Sequence, residues 1–128
     1  MSYSLTIDKE AKLIKVTWSG ELLEEDIPVA FGELEELSRH HAGYNLLADH
    51  RGLAASPRVE LLPEAIKFLQ GLARNLGPYK YAVVVDKKIS YGTGRMVESR
   101  TFGTDVMVRP FYSIKEAESW LAQPWEED

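Results

Sequence analysis

Five consecutive apolar residues, Tyr81-Ala82-Val83-Val84-Val85, lie between a Gly77-Pro78 break and the charged Asp86-Lys87-Lys88. A strand with one wet face alternates polar and apolar side chains, whereas a strand covered on both faces reads as an unbroken, β-branched run. Tyr79 to Val85 therefore predicts an inner strand of a sheet with layers on both sides. Inner strands of this kind belong to parallel sheets, whose crossovers are helices. The run is far too short to span a bilayer.

The flanking sequence supplies the expected partners. Ser4–Ile7 and Leu13–Trp18 read as two strands joined by the polar Asp8-Lys9-Glu10-Ala11, and predict an antiparallel hairpin. Leu23, Ile27, Phe31, Leu34 and Leu37 then fall at helical spacing up to Ser38, with glutamates between them and Pro28 near the first turn. Arg39, His40 and His41 at its end complement the helix dipole. Tyr44–Asp49 is a third strand, His50–Pro57 a polar linker, and Leu61–Leu76 a second helix with a wide apolar face stopped by Gly77-Pro78. After the Tyr79–Val85 strand, a third helix of weaker periodicity is expected over about Gly94–Phe102. A short strand, Val106–Val108, and a last helix, Ile114–Leu121, follow, with Ser113 and Glu116 spaced as a capping box. Residues 122–128 form an acidic tail expected to fray.

A hairpin followed by strand–helix alternation predicts a single α/β domain. Its sheet has five strands, mostly parallel, with one antiparallel edge strand. The 128 residues suffice for that unit and little more. Phe31, Leu47, Ile66, Leu69, Val84 and Trp120 are the expected core. The chain has no cysteine, which excludes a disulfide framework, a thiolate metal site and a cysteine nucleophile. Neither a signal peptide nor a transmembrane segment is visible, so a cytoplasmic protein is expected.

Charge is unevenly spread. The net charge of −5 hides a segment, 74–109, with seven Lys/Arg against three Asp/Glu. A nucleic-acid binder would carry a broader basic excess, so no nucleic-acid partner is expected. Lys80, Lys87, Lys88, Arg95, Arg100 and Arg109 read either as a solvated rim or as a face for an anionic ligand or acidic partner.

Element order, together with LLADHRGL, YAVVVDKK and the closing VMVRPFYSIKEAESWL, resembles the STAS-like domains, in particular their SpoIIAA-like branch of small stand-alone bacterial proteins. The resemblance runs from Leu5 to Leu121. It implies a sheet of sequentially stacked strands with helices to one side. Family members that antagonise anti-sigma factors are switched by phosphorylation of a serine in an Asp-Ser-Ser-Gly-like loop after the third strand. Here that stretch reads Ser56-Pro57-Arg58-Val59-Glu60, so the motif and its glycine are absent. The resemblance therefore implies a regulatory or interaction module without that phosphoacceptor. Distant relatives of the fold include lipid-binding CRAL-TRIO domains, which makes an apolar ligand the alternative.

Chemistry-bearing residues are sparse. Asp49 and Asp86 each end a predicted strand, and at the carboxyl edge of a parallel sheet two carboxylates can hold Mg²⁺ or supply a base. Strand-ending aspartates also simply cap turns. Ser90-Tyr91-Gly92-Thr93-Gly94-Arg95 reads as a glycine loop opening a helix, where backbone N–H groups, with Lys87 or Arg95, can meet an anion. It is neither a P-loop nor a dinucleotide fingerprint. The three histidines lack ligand spacing, and no serine sits in a nucleophile elbow. Phe102 and Phe111, if exposed, suit dimerisation or an acyl ligand.

The sequence thus predicts a non-enzymatic STAS-like module, homodimeric through its C-terminal aromatics, with no catalytic residues, metal or cofactor. A protein partner would dock on the basic face. The alternative is a small apolar or anionic amphiphile held between Gly92–Gly94 and the second helix. Asp49, Asp86, Lys87, Tyr91, Gly92, Gly94, Arg95, Arg100 and Phe102 are the candidate binding residues.

Overall fold

The computed structural model describes residues 2–125. Strands β1 (Tyr3–Asp8), β2 (Leu13–Gly20), β3 (Asn45–Leu53), β4 (Tyr79–Val84) and β5 (Val106–Phe111) form one sheet in the order β1-β2-β3-β4-β5. The β1–β2 pair is antiparallel and every other pair is parallel. Helices α1 (Asp26–Ser38), α2 (Leu62–Leu76), α3 (Lys88–Thr101) and α4 (Ile114–Leu121) fill the connections. The hairpin turn closes with Lys12 at φ 55° and with Asp8 Oδ1 accepting from the Ala11 N–H at 3.0 Å.

The inner strand β4 behaves as its apolar run demands. Tyr79, Val83 and Val85 face the layer made by α1, α2 and α3, where they join Ile14, Val16, Leu46 and Ala48. Ala82 and Val84 face the other way, against Ala117, Trp120 and Leu121 of α4. Helices thus cover both faces of the sheet, not one, and α4 supplies the second layer. Phe31 and Ile66 are only half-buried, while Leu47, Leu69, Val84 and Trp120 are core as expected. Phe31 instead stacks on Phe68 across the α1–α2 contact, with centroids 4.0 Å apart.

Lys80 sits in β4 among these apolar neighbours, 3% exposed. Its Nζ donates to the carbonyls of Trp120 (2.9 Å) and Gln123 (2.7 Å) and lies 5.1 Å from the Trp120 ring centroid. The C-terminal end of α4 is negatively polarised, so the ammonium is stabilised there and fastens the helix to the sheet. Ser113 caps the other end of α4, its Oγ accepting from the Glu116 N–H at 3.3 Å. Beyond α4 the chain leaves regular structure, and Trp125 is half-buried. The rest of the tail, expected to fray, lies outside the described residues.

Four predicted boundaries move by three residues or more: α1 begins at Asp26 and not Leu23, β5 ends at Phe111 and not Val108, and the two largest shifts are in β3 and α3. β3 does not stop at Asp49 but runs on to Leu53, absorbing half of the expected linker. α3 begins at Lys88, so the expected glycine loop is its first two turns. Its buried side is small: Gly94, Val97 and Thr101, with the Thr101 hydroxyl donating to the Val97 carbonyl at 2.9 Å. A helix whose inner face is glycine and threonine leaves little apolar periodicity to find.

Candidate functional site

Two adjoining cavities lie between the C-terminal half of the sheet and the helices above it. One, of about 150 Å³, is bounded by Trp18 of β2, Leu53 of β3, Ile27 and Phe31 of α1 and Ala65 of α2. The other, of about 130 Å³, is bounded by Val83 of β4, Val108 of β5, Leu69 of α2 and Gly94 and Val97 of α3. His50, Pro57, Leu61, Ala65 and Tyr81 line both. Both walls are overwhelmingly carbon. The sequence leads to this gap directly, because Ala65 and Gly94 offer almost no side chain where two helices arch over the sheet.

His50 and Tyr81 are the two residues with polar side-chain atoms that border both chambers. His50 continues the Leu46, Ala48 alternation of β3 onto the cavity side. Neither its imidazole nor the Tyr81 hydroxyl has a hydrogen-bond partner among the described residues, and both groups border the chambers. Desolvation pushes the His50 pKa down to about 4, against a smaller opposing pull from the Asp49 charge, so the ring is neutral at pH 7. Burial pushes the Tyr81 phenol far up, and it too stays protonated. The site therefore offers a neutral imidazole, which donates at one nitrogen and accepts at the other, and a phenolic donor. Sequence reasoning missed His50 because it ended β3 at Asp49, four residues early. Continued past Asp49, the even-numbered alternation would have found it.

The sequence-predicted residues fall into two groups elsewhere. Asp49 points to the opposite face of the sheet, where Arg51 holds both its oxygens (Nε to Oδ1 3.0 Å, Nη2 to Oδ2 2.8 Å). Those hydrogen bonds keep its carboxyl below the usual carboxylate range despite partial burial. The Arg51 pKa is raised chiefly by its hydrogen bonds to Asp49, with a smaller pull from the Asp86 charge, and each aspartate has its own cation partner, Arg51 for Asp49 and Lys87 for Asp86. Lys87 Nζ donates to the Leu53 carbonyl (2.7 Å) and to Asp86 Oδ1 (3.0 Å), tying the start of α3 to the end of β3. Among the described residues no group of three or more His, Cys, Asp or Glu could hold a metal ion.

The second group sits on α3. Gly92 and Gly94 are helical, not a cradle of free N–H groups, and Gly92 faces solvent. Gly94 does border the smaller chamber, opposite α2. Tyr91 stacks on Tyr112 with centroids 4.6 Å apart, and Arg95 pairs with Glu98 at 3.3 Å. Arg100 is exposed, and Phe102, past the end of the helix, is 73% exposed. Phe111 packs against Trp120 and is not a surface aromatic. No helix among the described residues is long and apolar enough to cross a membrane.

The family model described as SpoIIAA-like matches residues 13–122, which takes in β2 through α4 and every residue of both chambers. The chain belongs to the SpoIIAA-like family. No curated protein matches it. Among solved structures it is similar to an uncharacterized protein of the DUF3478 family with a SpoIIAA-like fold from Shewanella loihica. The TM-score is 0.64 at 14% identity, over 93% of this chain and 91% of that one. At that identity the likeness concerns the SpoIIAA-like fold alone: the sequentially ordered sheet with one antiparallel pair.

Proposed function

We propose that this SpoIIAA-like domain is a non-enzymatic, cytoplasmic binding module that holds a small, mainly apolar molecule in the two chambers. One observation carries the reading: His50 and Tyr81, which border both chambers, present unpaired polar groups to mainly carbon-lined space. A ligand entering the chambers would take the place of water at these two groups and supply their hydrogen-bond partner. The reading assigns no catalytic step and no phosphoacceptor. Ser56, in the loop where switched relatives carry theirs, shares a hydrogen bond with Ser90 at the rim.

Titration with the neutral fluorophore 1-aminoanthracene tests this. Saturable binding to the wild type, abolished by Ala65→Trp in a variant that still unfolds cooperatively, supports it. No binding to the wild type, or equal binding to the variant, removes it.

A second reading, docking of an acidic protein partner or a second copy, draws on the outer face of α3. Ile89 (70% exposed) and Met96 (38%) share one side of the helix, with Lys88 and Arg95 beside them and Phe102 beyond. Sedimentation at rising concentration, compared between the wild type and an Ile89→Ser/Phe102→Ser variant, tests the homodimer form. A concentration-dependent dimer lost in the variant supports it, and a monomer throughout removes it.

A further inference from the structure

The distribution of polar atoms along the two chambers bears on what kind of molecule they fit. Of the five residues common to both, only His50 and Tyr81 carry side-chain polar atoms. In the chamber between α2 and α3, the remaining polar groups are already engaged: Ser90 with Ser56, and Thr93 Oγ1 as donor to the Ile89 carbonyl at 3.0 Å. In the chamber beside α1 the remaining polar side chains are the Trp18 indole and Glu64. The uncharged unpaired groups are thus His50 and Tyr81, which border both chambers, and the Trp18 indole in the chamber beside α1.

Charge narrows the class further. Glu64 is the one lining residue with a formal charge, and it is negative. The nearby cations are engaged outside the chambers: Lys87 with Leu53 and Asp86, Arg58 with Glu24, Arg95 with Glu98. A carboxylate or phosphate inside would be a buried charge with no counter-ion. Size sets the arms. A dry cavity of roughly 150 Å³ takes a benzene-sized molecule, so each chamber takes a segment of about four to six carbons.

We infer that the ligand is an uncharged molecule with two apolar arms and a hydrogen-bonding group near its middle, lying across both chambers with that group at His50 and Tyr81. This rests on the binding function proposed above and names its ligand class. On this inference the ligand is not the anionic amphiphile that the sequence alone left open.

Isothermal titration at pH 7 with 5-nonanone, 2-nonanone and nonanoate tests it. The two ketones carry the same atoms and differ in where the carbonyl sits. The expected result is at least about fivefold tighter binding of 5-nonanone than of 2-nonanone, the worth of one well-placed hydrogen bond. Nonanoate should bind weakest, and Tyr81→Phe should narrow the gap between the ketones. If 2-nonanone or nonanoate binds as tightly as 5-nonanone while 1-aminoanthracene still binds, the ligand class is wrong and the binding function stands. If neither the ketones nor 1-aminoanthracene bind the folded wild type, the binding function falls and takes this inference with it.

Discussion

Gly94 lies so close to Pro110 that a Cβ built on it would stand 2.7 Å from the Cβ of the proline and 3.5 Å from Val83 Cγ1. That approach seats α3 on β5 and sets the side wall of the smaller chamber. Gly92, two residues earlier in the same helix, has nothing within 4 Å of the equivalent position.

The two glycines should therefore respond oppositely to alanine. Gly94→Ala overpacks a rigid contact and should destabilise by about 1–3 kcal/mol. Gly92→Ala only improves helix propensity and should stabilise by up to about 1 kcal/mol. Urea unfolding of both variants checks this. Equal effects of one sign would mean that α3 is not seated as described.

His50 predicts a pH dependence with a definite sign. Its folded pKa of about 4 lies below the ordinary 6.5, so between those values the unfolded chain takes up a proton that the folded protein refuses. Stability is lost as pH falls through that window, by about 2–3 kcal/mol at pH 4.5 relative to pH 7. The depressed carboxyls of Asp8, Asp26 and Asp49 act mainly below it, because their unfolded values lie near 3.8. Urea unfolding at pH 7.0 and 4.5 should show the loss in the wild type and most of it abolished in His50→Leu. An equal loss in both proteins would contradict the burial of this ring.

Removing the Arg51 guanidinium should release Asp49. In Arg51→Gln the Asp49 carboxyl loses the hydrogen bonds that hold it low, and its pKa should rise toward or above the ordinary range because its burial remains. Carboxyl ¹³C titration by NMR reads this directly. An unchanged midpoint would show that the pair does not form in solution.

Lys80→Ala should loosen α4. Two carbonyls at the end of that helix lose their charged donor, and the Trp120 ring loses the ammonium beside it. A loss of about 1–3 kcal/mol is expected, with amide exchange faster in Ile114–Leu121 than in α2. Uniform acceleration across the molecule would argue against a local clamp.

The legibility of this chain followed the size of its buried side chains. β4, α2 and α4 were plain in the sequence because each buries large apolar residues at a regular period: the Val83–Val85 run, Leu62/Leu69/Leu72/Leu76, and Ala117/Trp120/Leu121. α3 was placed six residues late because Gly94 and Thr101 occupy its inner face, and packing on Pro110 overrides their poor helix propensity. The end of β3 was hidden for a related reason. His50, Arg51 and Gly52 look like a loop, yet parallel pairing of Ser19 with Gly52 and Gly20 with Leu53 carries the strand on. Both errors fell where an empty space had to be enclosed, and small or polar residues are what enclosing it requires. Asp49 and Asp86 were conspicuous in the sequence, but the Arg51 guanidinium that pairs with Asp49 was concealed in the presumed linker.

The most direct test of the central claim is a methyl ¹H–¹³C NMR titration with 5-nonanone. Shifts concentrated in Ala65, Leu69, Val83, Val97 and Val108 are the predicted result, since these methyl groups face the chambers. Shifts confined to Ile89 and Met96 on the outer face of α3, or none at saturating ketone, would contradict it.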